Sequence, residues 1–162
     1  MNRQAPKLPL PDLVAKLRAE IPSISIRTTF ITGFPGETEE DFEKLHRFVK
    51  ESRFSRMGCF PYSCEEGTPA SKLPDHVDED VRVRRAEILT DEQMGIMQEI
   101  GETFIGKTLD VLVEGFDRYA ECWFGRSYLD APDIDGKVFF TSKDKKPVLG
   151  SFVKVLIDDC MD

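Results

Sequence analysis

Leu10, Leu13, Val14, Leu17 and Ile21 recur at helical spacing and predict a first helix. Pro11 and Asp12 suit its first turn, and Pro22 stops it. Residues 24–32 are rich in β-branched side chains and predict a strand. The run Gly33-Phe-Pro-Gly36 then signals a turn. Thr38 opens a capping box with Asp41 in the acidic place, and Glu39, Glu40 and Asp41 complement the helix dipole. Phe42, Leu45, Phe48 and Val49 give this second helix one apolar face. Residues 54–62 predict another strand. Strand, helix and strand make a βαβ unit, which implies a parallel pair.

A loop with Gly67, Pro69 and Pro74 covers residues 65–75. A long helix is expected over about 77–103, with Val81, Ile88, Leu89, Ile96, Met97, Ile100 and Phe104 as its buried stripe. The period then changes to two. Leu109, Val111 and Val113 alternate with polar residues, and Phe152, Lys154 and Leu156 alternate with Val153, Val155 and Ile157. Cys122-Trp-Phe and Val138-Phe-Phe add two short strand candidates. Short period-two pieces between polar turns predict a small all-β antiparallel barrel. The boundary falls near residues 101–107, dividing the chain into 1–102, α/β, and 103–162, all-β.

Apolar residues make up 40% of the 162 residues, enough for a core, so disorder is not expected. No apolar run approaches the roughly 18 residues that cross a bilayer, and no signal peptide opens the chain, so no membrane role and a cytoplasmic location are expected. The four cysteines, Cys59, Cys64, Cys122 and Cys160, are irregularly spaced and read as reduced thiols. The net charge of −8 argues against a phosphate backbone as first partner, since the one dense basic run, Arg82, Arg84 and Arg85, lies among acids.

Side chains alternate along the first strand, so Arg27, Thr29, Ile31 and Gly33 share one face. Parallel sheets place ligands at the C-terminal ends of their strands, and Gly33 and Gly36 would let backbone approach a ligand closely. The same glycines also suit an ordinary strand-to-helix turn. No phosphate loop is present, since no Gly-Lys-Ser/Thr follows. Asp130, Asp133 and Asp135 form an acidic loop that lacks the closing acid of a calcium site and reads as a solvated turn or a partner contact. His46 and His76 have no triad or metal partner in sequence. Trp123 and Phe124 suit either base stacking or the barrel's core and rim.

Residues 27–42, Arg-Thr-Thr-Phe-Ile-Thr-Gly-Phe-Pro-Gly-Glu-Thr-Glu-Glu-Asp-Phe, resemble the late barrel strand and following helix of the radical-SAM methylthiotransferases. Residues 60–70, Phe-Pro-Tyr-Ser-Cys-Glu-Glu-Gly-Thr-Pro-Ala, resemble the next strand and loop. Residues 125–136 resemble the TRAM segment of the family's RimO branch, which modifies an aspartate of ribosomal protein S-twelve. The resemblance covers nearly the whole chain from Met1 onward. It implies the late βα units of a partial radical-SAM half-barrel followed by a TRAM barrel of OB-like type.

In that family a strand pattern near G-x-I-x-G-x-x-E lines the S-adenosylmethionine pocket. Thr29, Ile31, Gly33 and Glu37 match it loosely, with Thr29 in place of the first glycine and one extra residue before Glu37. The resemblance therefore implies Arg27, Thr29, Ile31 and Gly33 as cofactor-binding residues, with Phe60 and Tyr62 as weaker candidates. It also implies 4Fe-4S clusters. The C-x-x-x-C-x-x-C triplet that holds the radical-SAM cluster is absent, and Cys59 and Cys64 cannot replace it. This chain by itself is therefore expected to bind no cluster and to be inactive, as a C-terminal portion of a longer enzyme.

Eight basic and eleven acidic residues follow Thr103, a net charge of −3. An RNA-gripping barrel should be positive, whereas an acidic barrel suits a basic protein. Ribosomal protein S-twelve is thus the expected substrate, with Asp130, Asp133 and Asp135 as partner-binding residues and tRNA disfavoured. The alternatives are a tRNA-adenosine methylthiotransferase of the same superfamily and a non-catalytic TRAM binding module. Self-association through an unpaired sheet edge is expected as well.

Overall fold

A computed structural model describes residues 7–143 and 146–160. The chain forms two compact units that meet between Met97 and Gln98.

In the first unit, α1 (Leu10–Glu20) starts with a proline in its first turn and ends before Pro22. β1 (Arg27–Thr32) and β2 (Arg56–Pro61) pair in parallel, in register from Arg27 opposite Arg56 to Thr32 opposite Pro61. Both strands are shorter than the sequence pattern predicts, because residues 24–26 and 54–55 lead in with isolated hydrogen bonds rather than ladder pairing.

Between the strands runs α2 (Glu39–Ser52), capped as predicted. The Thr38 Oγ1 accepts from the Asp41 amide at 3.2 Å, and the Asp41 carboxylate accepts from the Thr38 amide at 3.1 Å. Arg53 ends the helix in the left-handed region, at φ 44°. Its carbonyl accepts from the Arg18 guanidinium at 2.7 Å, tying α1 to the end of α2. Phe30, Phe48 and Phe54 form a ring cluster with centroids 5.6–6.2 Å apart, joining β1 to α2.

After a short 3₁₀ turn, α3 (Glu79–Glu102) begins. Its buried face differs from the predicted stripe. Arg85, Ala86, Leu89, Gln93 and Ile96 are buried, while Val81 is exposed. Periodicity weighted by apolar character passes over Arg85 and Gln93, which satisfy polar groups instead. Gln93 donates from Nε2 to the Phe54 carbonyl at 2.9 Å.

The second unit is a four-stranded antiparallel sheet of β3 (Thr108–Asp117), β4 (Cys122–Arg126), β5 (Val138–Phe140) and β6 (Phe152–Leu156), in the order β5-β4-β3-β6. Val111, Val113, Phe140 and Val155 form its core, with Trp123, Val138 and Val153 packed around them. The period-two pattern is thus read out directly, since Phe152, Lys154 and Leu156 point to solvent opposite Val155. A bulge between Val113 and Gly115 shifts the β3–β4 register. The Phe124 ring lies where a side chain at residue 115 would project, so only glycine fits there.

Candidate functional site

The two strands of the first unit present one face to the helices and one to solvent. Thr28, Phe30 and Thr32 lie toward the helices, half-buried or fully buried. Arg27, Thr29 and Ile31 are exposed on the other face, and the parallel register sets Arg56, Gly58 and Phe60 beside them. A Cβ built on Gly58 would meet the Phe60 ring at 3.4 Å and the Thr29 methyl at 3.9 Å. The absent side chain leaves a shallow apolar cradle between those two residues. Four of the six cofactor candidates, Arg27, Thr29, Ile31 and Phe60, therefore share one open surface. Gly58 joins them, a residue that sequence reasoning passed over because its place depends on β1–β2 pairing.

Gly33 and Tyr62 sit elsewhere, at the buried C-terminal end of the strands. The Arg82 side chain fills the space beside Gly33, whose φ of 69° and missing Cβ both require glycine. The Gly33 amide donates to the Glu37 carboxylate at 2.9 Å, so it is already engaged within the loop. Tyr62 packs edge-on against Phe34, with centroids 5.3 Å apart, and its amide donates to the Thr32 carbonyl at 2.8 Å. Its hydroxyl is buried with no hydrogen-bond partner among the described residues, and burial raises its pKa. The Arg82 guanidinium donates to the Tyr62 carbonyl, and the Thr32 hydroxyl donates to the Arg82 carbonyl at 3.0 Å.

Glu37 also turns inward rather than toward the open face. Its carboxylate takes Arg85 Nη1 at 2.8 Å, while Arg85 Nη2 reaches Glu39 at 2.7 Å. Burial opposes the Arg85 charge, but the hydrogen bonds to Glu39 and Glu37 outweigh it and raise the guanidinium pKa. This knot locks the turn at residues 33–37 onto α3. His46 meets Glu92 of α3 at 3.1 Å, with Lys50 at 3.4 Å from the same oxygen. Burial would raise the Glu92 carboxyl, yet the His46 and Lys50 contacts prevail and lower it.

Among the cysteines, Cys59 lies opposite Phe30 in the register. Burial pushes its thiol up to about 11, against a hydrogen bond with Thr32. Cys64 is exposed. No group of three or more metal-binding side chains occurs among the described residues. No helix among them is long and apolar enough to cross a membrane.

In the second unit the three loop aspartates divide by role. The Asp130 carboxylate accepts from the Ser127 amide at 3.0 Å and from its hydroxyl at 2.7 Å. The Asp135 carboxylate accepts from the Ala131 amide at 2.6 Å. Both therefore shape the loop. Asp133 is exposed at φ 60°, and its side chain is the one turned to solvent.

Residues 105–162 match the family model of the TRAM domain. The whole chain is 44% identical to the ribosomal protein uS12 methylthiotransferase RimO of Lachnoclostridium phytofermentans, covering 37% of that protein. The RimO protein of Pelotomaculum thermopropionicum is 48% identical over 97% of this chain and 35% of its own length. That of Geobacter sulfurreducens is 44% identical over the full chain and 36% of its own length. The chain thus spans little more than a third of the curated relatives it matches. Over its whole length, this chain belongs to the RimO methylthiotransferase family as a C-terminal portion carrying the TRAM domain.

Proposed function

We propose that the chain is the C-terminal part of an enzyme that adds a methylthio group to the β-carbon of an aspartate in ribosomal protein S-twelve, using S-adenosylmethionine. The observation that carries this reading is the likeness, at 44% identity over all 162 residues, to a relative named as a ribosomal protein uS12 methylthiotransferase. On this reading residues 1–102 supply the late βα units of a radical-SAM half-barrel, and residues 103–162 supply the TRAM domain.

The open face of β1 and β2 fits an adenosyl group. Gly58 leaves a cradle that a planar ring can enter, with Phe60 and Thr29 as its walls and Ile31 as apolar floor. Arg27 and Arg56 stand at the start of the same face, where a carboxylate or ribose hydroxyl could be held. When bound, one S-adenosylmethionine would supply the hydrogen-abstracting group, and a second molecule would supply the methyl group. The chain's own residues bind and orient it. The Gly33–Glu37–Arg85 knot keeps the turn beside the pocket fixed without touching the cofactor. The cysteines of this chain do not suit a 4Fe-4S cluster: Cys59 is held as a thiol, and Cys64 has no cysteine at the required spacing. The cluster ligands then lie outside these residues, and the chain alone is inactive.

The test is transfer to substrate by the polypeptide that carries this chain, supplied with S-adenosylmethionine, a one-electron reductant, a sulfide source and either S-twelve or tRNA. Mass spectrometry of S-twelve should show one methylthio group in place of hydrogen on a single aspartate. A methylthio group on a tRNA adenosine, with S-twelve unchanged, would overturn the reading.

A further inference from the structure

Tyr62 directly follows β2, at the strand end where parallel sheets place their ligands. It is 9% exposed, and its hydroxyl is buried without a hydrogen-bond partner among the described residues. The ring is held between Phe34, with centroids 5.3 Å apart, and His76, at 6.2 Å. The Cys64 thiol stands near the hydroxyl without a hydrogen bond of normal geometry, and a thiol is a weak acceptor.

Arg82 of α3 brings a second group of this kind. Its stem fills the space beside Gly33, and its guanidinium carbon lies 6.0 Å from the Tyr62 ring centroid. Nη1 donates to the Tyr62 carbonyl, but Nε is buried with no partner among the described residues. No carboxylate among them pairs with this cation, whereas Arg85, one turn further along α3, takes both Glu37 and Glu39. Two buried donors, one of them charged, thus stand unpaired against each other, and a fold retains such groups at a cost. Packing alone accounts for the ring and the stem. It does not account for the hydroxyl or for Nε.

We propose that Tyr62 and Arg82 form a carboxylate subsite that holds the side chain of the substrate aspartate. This rests on the reading above, that the enzyme acts on an aspartate of S-twelve. A carboxylate offers two oxygens and no donor, so one oxygen takes the Tyr62 hydroxyl and the other the Arg82 guanidinium. Gripping the carboxylate fixes the β-carbon bonded to it, the carbon that reading assigns to the reaction. An asparagine amide would turn a donor toward one of the two groups and leave it unmet, so the subsite selects aspartate. Phe60, a wall of the proposed cofactor face, lies two residues before Tyr62, about 7 Å along the strand, which sets substrate beside cofactor. Cys64 and His76 are exposed, so rotation of either side chain opens the hydroxyl to substrate.

The experiment uses the polypeptide that carries this chain and measures its equilibrium binding to S-twelve and to S-twelve with asparagine at the target position. The parent should bind the aspartate form about tenfold more tightly. Tyr62→Phe should cut this preference to about threefold, and Arg82→Met should abolish it, with affinity for the asparagine form little changed. Because the hydroxyl is unpaired in the free protein, Tyr62→Phe should leave the urea midpoint unchanged or raise it. A preference that is the same in both variants, or a lower midpoint in Tyr62→Phe, would overturn the subsite. A parent that modifies S-twelve yet binds both forms equally would overturn the subsite alone. A parent that modifies tRNA and leaves S-twelve unchanged would overturn the functional reading and the subsite with it.

Discussion

Arg85 on α3 and Glu37 in the β1–α2 turn meet at 2.8 Å across 48 residues of sequence, with the guanidinium almost wholly buried. The pair converts a glycine-rich turn into a fixed one, since the same Glu37 carboxylate holds the Gly33 amide. Removing Arg85 leaves Glu37 buried without its cation. Arg85→Ala should therefore destabilise the first unit by about 3 kcal/mol. Arg85→Met also loses the guanidinium over the Phe42 ring but keeps an apolar stem in the buried space and should cost less. Urea unfolding of the two variants measures the difference, and a midpoint unchanged in Arg85→Ala would count against the knot as a stabilising element.

How much of this was readable from sequence depends on how local each signal is. The α2 cap was readable to the residue, because Thr38 and Asp41 complete it between themselves. The parallel pairing of β1 and β2 followed from the βαβ pattern, and the period-two strands of the second unit from alternation. Arg85 and Gln93 were not readable as buried residues, because their partners Glu37 and Phe54 lie 48 and 39 residues away.

The α2 cap carries a pH dependence. Hydrogen bonds from the Thr38 side chain and backbone hold the Asp41 carboxyl below its ordinary 3.8. Its contribution is therefore complete above about pH 4 and is lost as pH falls through the lower, folded value. Thr38→Ala should cost about 1 kcal/mol at neutral pH. It should also flatten this part of the acid transition, which denaturation followed from pH 5 down to pH 2 would reveal.

Cys59 acts at the opposite end of the scale. Its thiol is raised from 9.0 to about 11 by burial, so the unfolded chain loses this proton first as pH rises. Stability should then decline between about pH 9 and pH 11, and Cys59→Ser should reduce that decline. In the folded chain at pH 8, iodoacetamide should modify exposed Cys64 well before Cys59. Peptide mapping that finds Cys59 alkylated as fast as Cys64 would refute the buried-thiol assignment.

The two-stranded sheet leaves its outer edges unpaired among the described residues, and Ile31 and Phe60 stand exposed on its open face, Phe60 at 59%. Unpaired edges with apolar faces favour self-association. The isolated chain should sediment as larger species as its concentration rises, and Phe60→Ser should shift the balance toward monomer. A monomer that persists at every concentration would remove this expectation.

The acidic loop allows the most specific test of the protein partner. Asp130 and Asp135 spend their carboxylates on Ser127 and Ala131, so replacing them would disturb the loop as well as its charge. Asp133 is free of that complication. It occupies the left-handed region at φ 60°, which asparagine also tolerates, so Asp133→Asn removes one charge and keeps the backbone. An exposed charge of this kind acts mainly on encounter rate and is screened by salt. Asp133→Asn should therefore slow association with S-twelve about twofold to threefold at low salt, leave dissociation nearly unchanged, and lose its effect near 0.5 M salt. Asp133→Ala strains the same backbone and should lower thermal stability as well, which separates the role of charge from that of conformation. Stopped-flow association at two salt concentrations decides the matter. An Asp133→Asn variant that binds S-twelve as fast as the parent at low salt would exclude this loop from the docking surface.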